Sequence, residues 1–186
     1  MMKITFVTSN EHKAREAAAI LHDVCILEHV ALEIPEMRSD SISEIATGKA
    51  AYAFSALNCP VITDDTGFFI QALNGFPGPC AAYVHKTIGN NGILNLMAGY
   101  KNRKAWFETG IAYHEERCHN VFTGRIEGKV VLPRGCNGFG YDPIFEINGK
   151  TLAEMNSEEK NRISHRALGL NLLRNWLLSR EEEPDA

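Results

Sequence analysis

The amino-acid sequence predicts an α/β domain built around a mixed β-sheet. In the first part of the chain, short apolar runs typical of strands alternate with helical patterns. Later, residues 104–113 and 120–131 form two consecutive strand patterns that can pair locally. The 186 residues are 45% hydrophobic and 23% charged, as is usual for a globular protein. We expect one domain over residues 1–180, followed by an acidic tail at 181–186.

The N-terminal elements alternate in type. Residues 4–7 form an apolar strand pattern, and alanine and leucine residues then recur with the spacing of an amphipathic helix. A second strand is expected at 31–34. Ser41 and Glu44 have the spacing of a helix-capping box, so a helix is expected at 41–57.

In the rest of the chain, strands that are neighbours in the sequence are expected to pair with each other. Two strands, at 61–63 and 68–70, are expected to flank the segment Asp64-Asp65-Thr66-Gly67. Further elements are a helix at 91–98, the strands at 104–113 and 120–131, a short helix capped by 151–154 and a closing helix at 164–180. The closing helix is expected to bury Leu168, Leu172, Leu173, Trp176 and Leu177.

Charge and composition exclude several classes of protein. Nineteen basic and 23 acidic residues give a net charge of −4, without the basic excess of a nucleic-acid-binding protein. The apolar runs are too short to span a bilayer, and the N-terminus lacks the pattern of a signal peptide. Five scattered cysteines without a CxxC pair argue against a disulfide framework or a zinc site. We expect a cytoplasmic protein.

Residues 8–13 contain a candidate phosphate site. The segment lies where a strand leads into a helix, and the free N–H groups of a helix start attract anions. Thr8 and Glu11 also have capping-box spacing, which explains them without a ligand. Lys13 is different, because a cation in the first helical turn costs about 0.3–1 kcal/mol unless an anion is bound nearby.

Lys49 is a second candidate cation. It falls on the apolar stripe of the helix expected at 41–57, where a lysine is rarely buried without a partner. Its ammonium group either extends to the edge of the stripe or meets an anion at the end of the sheet.

Three acidic residues are candidate magnesium ligands. Mg²⁺ prefers one or two carboxylates completed by waters and phosphate oxygens, and Glu36, Asp64 and Asp65 could supply the carboxylates. Adjacent strand residues face opposite ways, so Asp64 and Asp65 share one role only if the backbone turns there, as Gly67 would allow. An ordinary acidic turn is the alternative.

A glycine-rich loop at 138–142 is a candidate base-binding segment. Its two aromatic residues and one carboxylate suit a flat heterocycle held by stacking. The same glycines would also serve a tight turn, and the aromatic residues could cover the core. Lys160, His165 and Arg166 add hydrogen-bond donors, or are simply solvated.

Six strings in order resemble the inosine triphosphate pyrophosphatase family, which removes non-standard purine nucleoside triphosphates. They are FVTSNEHK at 6–13, LEIPE at 32–36, TDDTG at 63–67, LNGFPGP at 73–79, FGYDP at 139–143 and EKNRISHR at 159–166. The resemblance spans nearly the whole chain. It implies a two-lobed α/β fold around a long central mixed β-sheet with flanking helices, an active-site cleft between the lobes, and a homodimer.

The resemblance also implies roles for individual residues. A magnesium ion would be bound by Glu36 and Asp65, with Asp64 as a further candidate, and Asp65 would orient or deprotonate the attacking water. The triphosphate would be bound by Thr8, Ser9, Asn10, Lys13, Lys49 and Lys160, with Thr66 also touching the substrate. The base would stack on Phe139 and meet Gly140, Tyr141, Asp142, His165 and Arg166 along its polar edge.

The expected activity is hydrolysis of ITP, dITP and XTP to the monophosphate and pyrophosphate, with Mg²⁺ as cofactor. One alternative is a Maf-type pyrophosphatase acting on pyrimidine or modified nucleotides, which would not need the string Ser164-His165-Arg166. Another is a catalytically silent nucleotide-binding or RNA-binding module. The acidic residues argue against a catalytically silent module, and the net charge of −4 argues against RNA binding.

Overall fold

The computed structural model describes residues 1–35 and 37–182, with side chains through Arg180. The candidate ligand Glu36 and residues 183–186 of the expected tail therefore lie outside the described residues. The strands are β1 (Met2–Val7), β2 (Cys25–Val30), β3 (Val61–Ile70), β4 (Pro77–Gly78), β5 (Lys104–Glu115), β6 (Cys118–Val130), β7 (Phe145–Ile147) and β8 (Lys150–Thr151). The α-helices are α1 (Glu11–Leu21), α2 (Ile42–Leu57), α3 (Ala81–Leu96), α4 (Ser157–Ile163) and α5 (His165–Glu182).

The eight strands belong to one mixed sheet, which confirms the α/β class. Its order is β2-β1-β3-β5-β6-β7-β8, with β4 paired to β3. β1 pairs in parallel with both β2 and β3, whereas the pairs β3–β4, β6–β7 and β7–β8 are antiparallel. None of the helices in the described part of the chain is long and apolar enough to cross a membrane.

The chain divides into two compact units. The first unit comprises residues 1–65, 109–124 and the C-terminal segment from His165; the second comprises 66–108 and 125–164. The core of the first unit includes Ile4, Phe6, Ala17, Leu21, Ile62, Ile111, Tyr113, Leu170, Leu173 and Leu177. The core of the second unit includes Phe68, Ile70, Ile93, Met97, Phe107, Tyr141, Ile144, Phe145 and Leu152.

In the first unit, the strand register aligns the ends of two parallel strands. Val7, the last residue of β1, is paired with Thr63 of β3. The segment from Thr8 to α1 therefore leaves the sheet beside the two aspartates, which follow Thr63 within β3 at the point where its pairing with β1 ends. In parallel sheets this carboxyl-terminal edge is the usual place for ligands.

Two strand predictions were wrong. The second strand is β2 at Cys25–Val30 and not 31–34. β2 lies at the end of the strand order, paired with β1, so exposed polar residues such as Glu28 and His29 occupy it and obscure its apolar pattern. The strands expected at 61–63 and 68–70 are one strand, because β3 continues through 64–67 to Ile70, which also rules out the alternative of an acidic turn.

The helix predictions were correct in type but incomplete. α3 begins at Ala81, ten residues before the expected start, and contains a break at Gly89. α4 was missed, although Asn156 and Glu159 form a complete capping box at its start. In α5 the buried leucines are 170, 173 and 177, whereas Leu168 and Leu172 are 40% and 48% exposed, contrary to the expected stripe.

Candidate active site

Lys13, Asp64 and Arg166 form a charged group in the first unit, in which Asp64 and Arg166 are buried and Lys13 is partly buried. The Lys13 ammonium lies 3.1 and 3.0 Å from the two carboxylate oxygens of Asp64. Arg166 donates from Nε to Asp64 Oδ2 at 3.0 Å. Arg166 has the largest fully buried side chain of the described residues, and a buried guanidinium requires such carboxylate partners. Both Asp64 oxygens are thus bonded to cations.

Glu16 completes this charged group and was not singled out from the sequence. Its carboxylate accepts from Arg166 Nη1 at 2.5 Å. The signal was its position three residues after Lys13 in α1, which places both side chains on the same helical face. With two cations and two carboxylates, the group has no net charge.

The start of α1 shows how residues 8–13 fold. Asn10 is the N-cap, and its side-chain oxygen accepts from the N–H groups of His12 and Lys13. Thr8 accepts from the Asn10 N–H at 3.1 Å through its hydroxyl oxygen. The capping role that Thr8 and Glu11 suggested therefore belongs to Asn10. Ser9 is exposed beside it, at the helix start.

Lys49 meets an anion rather than extending away from the apolar stripe. Its ammonium forms an ion pair with the Asp65 carboxylate, and both side chains are partly buried. The residue lies on α2, whose start is fixed because the Ser41 hydroxyl oxygen accepts from the Glu44 N–H. The structure therefore agrees with the alternative in which the Lys49 ammonium meets an anion. This anion is Asp65, a residue of the same unit.

The two adjacent aspartates have opposite electrostatic environments. Burial alone would raise the pKa of Asp64, but Lys13 and Arg166 outweigh it and hold that pKa below its ordinary value. Burial raises the pKa of Asp65 above its ordinary value, although the Lys49 ammonium opposes the shift. Asp64 is therefore suited to hold a fixed charge, and Asp65 to accept a proton.

In the second unit, the glycine-rich loop is held around Phe139. The Asp142 carboxylate accepts from the Phe139 N–H at 2.8 Å and from the Lys160 ammonium at 2.9 Å. The same ammonium lies 4.7 Å from the centre of the Phe139 ring. Gly140 has a φ of +63°, a conformation that favours glycine. A half-buried aromatic ring backed by a cation is the result.

Tyr141 is part of the core of the second unit. Its ring stacks on Phe68 at 4.6 Å, and its hydroxyl donates to the Ala81 carbonyl oxygen at 2.8 Å. Burial raises the pKa of the Tyr141 phenol. Lys160, for which the resemblance implies a phosphate contact, is bonded to Asp142 in this structure.

The other predicted residues are divided between the two units. Thr66 follows Asp65 in β3 and belongs to the second unit. His165 is buried at the first position of α5, in the first unit with Arg166. The described residues contain no cluster of three or more His, Cys, Asp or Glu side chains arranged for a metal ion.

The mixed sheet carries lysine–carboxylate pairs where the parallel pairing of β1 and β3 ends, and the second unit carries an aromatic ring backed by a cation. These features are typical of an α/β protein that binds a phosphorylated ligand. Residues 4–176 match the model of the Ham1 family, and the chain belongs to that family. It is 46% identical over 180 residues to the dITP/XTP pyrophosphatase of Thermococcus kodakarensis, covering 95% of this chain and 97% of the relative.

Two further comparisons agree with this family. The inosine triphosphate pyrophosphatase of Aspergillus fumigatus is 41% identical over 180 residues, with 95% of each chain covered. The solved structure of a HAM1 protein from Coxiella burnetii superimposes with a TM-score of 0.86 at 30% identity, covering 96% of this chain and all of the other.

Proposed function

We propose that this chain hydrolyses the non-standard purine nucleoside triphosphates ITP, dITP and XTP to the nucleoside monophosphate and pyrophosphate. It thereby clears deaminated purines from the nucleotide pool. The pyrophosphatase activity in the names of its relatives supports the reaction. The observation that carries the proposal is the pairing of adjacent aspartates with Lys13 and Lys49 at the carboxyl-terminal edge of the parallel strands.

The first unit would bind the triphosphate. Phosphoryl transfer depends mainly on positioning and on neutralising charge over the phosphate oxygens. The α1 start and the ammonium groups of Lys13 and Lys49 have the chemistry for this task. In this proposal the Lys49 ammonium exchanges part of its bond to Asp65 for a phosphate oxygen, which leaves the Asp65 carboxylate available.

Asp65 would act as the general base. Its pKa is raised by burial, so its affinity for a proton is higher than that of an ordinary aspartate. It would hold the attacking water and accept its proton as the water oxygen bonds to the α-phosphorus. Pyrophosphate then leaves with the electron pair of the broken P–O bond.

The donor set fits Mg²⁺ at Asp65. Mg²⁺ binds through few protein carboxylates together with water and substrate phosphate. The Asp65 carboxylate is 14% exposed and is paired with a partly exposed lysine, whereas the Asp64 carboxylate is 1% exposed and both of its oxygens are bonded to cations. We therefore assign Asp65, and not Asp64, as a ligand, with Glu36 as the second carboxylate. Bound Mg²⁺ supplies charge neutralisation and activates water.

The second unit would bind the base. Phe139 would stack on the ring, while Asp142 and Lys160 present an acceptor and a donor beside it. A site that directs donors at the 6-oxygen of hypoxanthine or xanthine opposes the 6-amino group of adenine. Each donor left unpaired costs about 1–3 kcal/mol.

The decisive assay is pyrophosphate release from ITP, XTP, dITP, ATP, GTP, dTTP and UTP, with and without Mg²⁺. Preference for the first three, with dependence on Mg²⁺, is expected. Preference for dTTP or UTP would favour a Maf-type activity, and binding without turnover would favour a silent module. Asp65→Asn should abolish turnover while circular dichroism shows an intact fold; a variant with near-normal rate would remove Asp65 from the mechanism.

We also propose, from the family resemblance, a cytoplasmic homodimer that does not bind nucleic acid. Analytical ultracentrifugation tests the dimer, since a sedimentation mass near 20.7 kDa would identify a monomer instead. Gel-shift titration with RNA and DNA tests the absence of nucleic-acid binding.

A further inference from the structure

Helix α3 holds the glycine-rich loop through two hydrogen bonds. At the start of the helix, the Ala81 carbonyl oxygen accepts from the Tyr141 hydroxyl at 2.8 Å. At the break in the helix, Asn90 donates from Nδ2 to the Gly140 carbonyl oxygen at 3.1 Å. Gly89, at the break, has a φ of +63° and ψ of −170°, which interrupts the helix directly before Asn90. All of these residues belong to the second unit.

Hydrogen bonds hold the backbone on both sides of the Phe139 side chain, and Asn90 makes one of them. On the N-terminal side, the Phe139 N–H donates to Asp142. On the C-terminal side, the Phe139 carbonyl oxygen accepts from the Asp142 N–H at 3.2 Å, and the carbonyl oxygen of the following residue, Gly140, accepts from Asn90. The backbone of Phe139 and Gly140 is thus held by hydrogen bonds to Asp142 and Asn90, which restricts the directions in which the Phe139 side chain can leave it.

Stability does not explain why asparagine occupies position 90. Its side-chain oxygen is buried and, among the described residues, accepts no hydrogen bond. An unpaired buried acceptor is destabilising, and native proteins rarely retain one without a reason. Helix capping is not the reason either, because an asparagine caps a helix through this same oxygen. Among the described residues, the Asn90 side chain forms its hydrogen bond through Nδ2, to the Gly140 carbonyl oxygen.

We propose that Asn90 is a positioning residue for base recognition, which acts by fixing the Gly140 carbonyl and hence the orientation of Phe139. This inference rests on the proposed function only in naming the base as the ligand of Phe139. Asn90 acts through the loop, so it affects binding of the base and leaves the phosphate contacts of the first unit unchanged.

The test compares Asn90→Ala and Asn90→Asp with Asn91→Ala, an exposed asparagine next in the chain. Asn90→Ala removes the unpaired acceptor together with the bond, so folding is expected to persist. Asn90→Asp keeps the side-chain volume but sets a carboxylate oxygen against the Gly140 carbonyl oxygen, and should have the larger effect. It also serves as the second variant if Asn90→Ala does not fold.

The first readout is deuterium exchange of the ligand-free protein, which requires no activity. Peptides covering residues 138–142 should exchange faster in both Asn90 variants than in wild type and Asn91→Ala. Equal exchange in all four proteins would overturn the proposal, whatever the enzyme's substrate.

The second readout separates base binding from phosphate binding. The KM for ITP should rise about fivefold in Asn90→Ala, because binding of the base must then order the loop without the Asn90–Gly140 hydrogen bond. The kcat should stay within about twofold of wild type. The inhibition constant of inorganic tripolyphosphate, which has no base, should not change. A parallel rise in both constants would indicate a general structural role and reject the inference. Absence of pyrophosphate release by wild type would instead reject the proposed function, and the exchange data would still decide the role of Asn90.

Discussion

Replacing each of the two adjacent aspartates by asparagine should lower the stability by very different amounts. Asp64 is 1% exposed in its side chain and bonds to two cations, Lys13 and Arg166. Asp64→Asn leaves the group around Arg166 with a net charge of +1 in a buried position. Removing one partner of a buried ion pair costs about 3–5 kcal/mol, because the other charge stays buried without compensation. We expect the unfolding free energy to fall by an amount in this range.

Asp65→Asn is the matched control. Burial raises the pKa of Asp65, so its ionisation costs stability once the pH rises through the folded pKa, and the substitution removes that cost. The Lys49 side chain that remains is 28% exposed and can be hydrated. The loss in this variant is expected to be about 1 kcal/mol or less.

The pH dependence of Asp64→Asn provides a second check. Because the folded pKa of Asp64 is lowered, its contribution is complete above the ordinary aspartate pKa and is lost as the pH falls through the folded value. The difference between wild type and Asp64→Asn should therefore persist from neutral pH down to about pH 4 and close only below it.

The assay is urea denaturation followed by circular dichroism, with a chelator present so that both aspartates are free of metal. Equal unfolding free energies for Asp64→Asn and Asp65→Asn at neutral pH would refute the reasoning. So would a difference that disappears well above pH 4.

Three further predictions concern binding and packing. Lys49→Met should raise the KM for ITP about tenfold or more, because a hydrogen bond to a charged group contributes about 1.5–3 kcal/mol; an unchanged KM in steady-state assays would remove Lys49 from phosphate binding. Phe139→Ala should also raise this KM, since stacking on a base contributes about 1–3 kcal/mol; inhibition by tripolyphosphate should stay constant, and a parallel loss would contradict stacking. Gly124→Ala should lower the unfolding free energy by about 2–3 kcal/mol, because the added carbon would lie 1.9 Å from the His165 carbonyl oxygen. Calorimetry should show no such loss for Gly99→Ala, where no described atom lies within 4 Å of the added carbon.

The elements that the sequence predicts well are those specified by neighbouring residues. α2 begins at Ile42 because Ser41 caps it with a bond to the Glu44 N–H, an interaction within one helical turn. β5 and β6 are consecutive and long, so their apolar and β-branched residues are sufficient to identify them.

The errors occur where distant residues determine the local structure. Two adjacent aspartates are typical of a turn, yet they lie within β3. They are tolerated there because Asp64 is paired with Lys13 and Arg166, and Asp65 with Lys49, at separations of up to 102 residues along the chain. No local pattern contains that information.

The candidate site was likewise predictable in its residue types but not in its pairings. The helix start around Asn10 and the unusual position of Lys49 indicated an anion site. The sequence did not reveal that Asp64 is bonded to two cations, Lys13 and Arg166, whereas Asp65 is paired with Lys49. Asn90 gave no signal at all, because its role depends on the break at Gly89 and on a carbonyl fifty residues away.

The neutral group formed by Glu16, Lys13, Asp64 and Arg166 has a consequence for how this family can diverge. A single substitution that deletes one charge leaves its counterpart desolvated, whereas simultaneous loss of an acid and a base keeps the balance. In an alignment of Ham1 relatives, these four columns should covary in acid–base pairs or stay invariant, while the exposed Lys3 and Glu28 pair drifts independently.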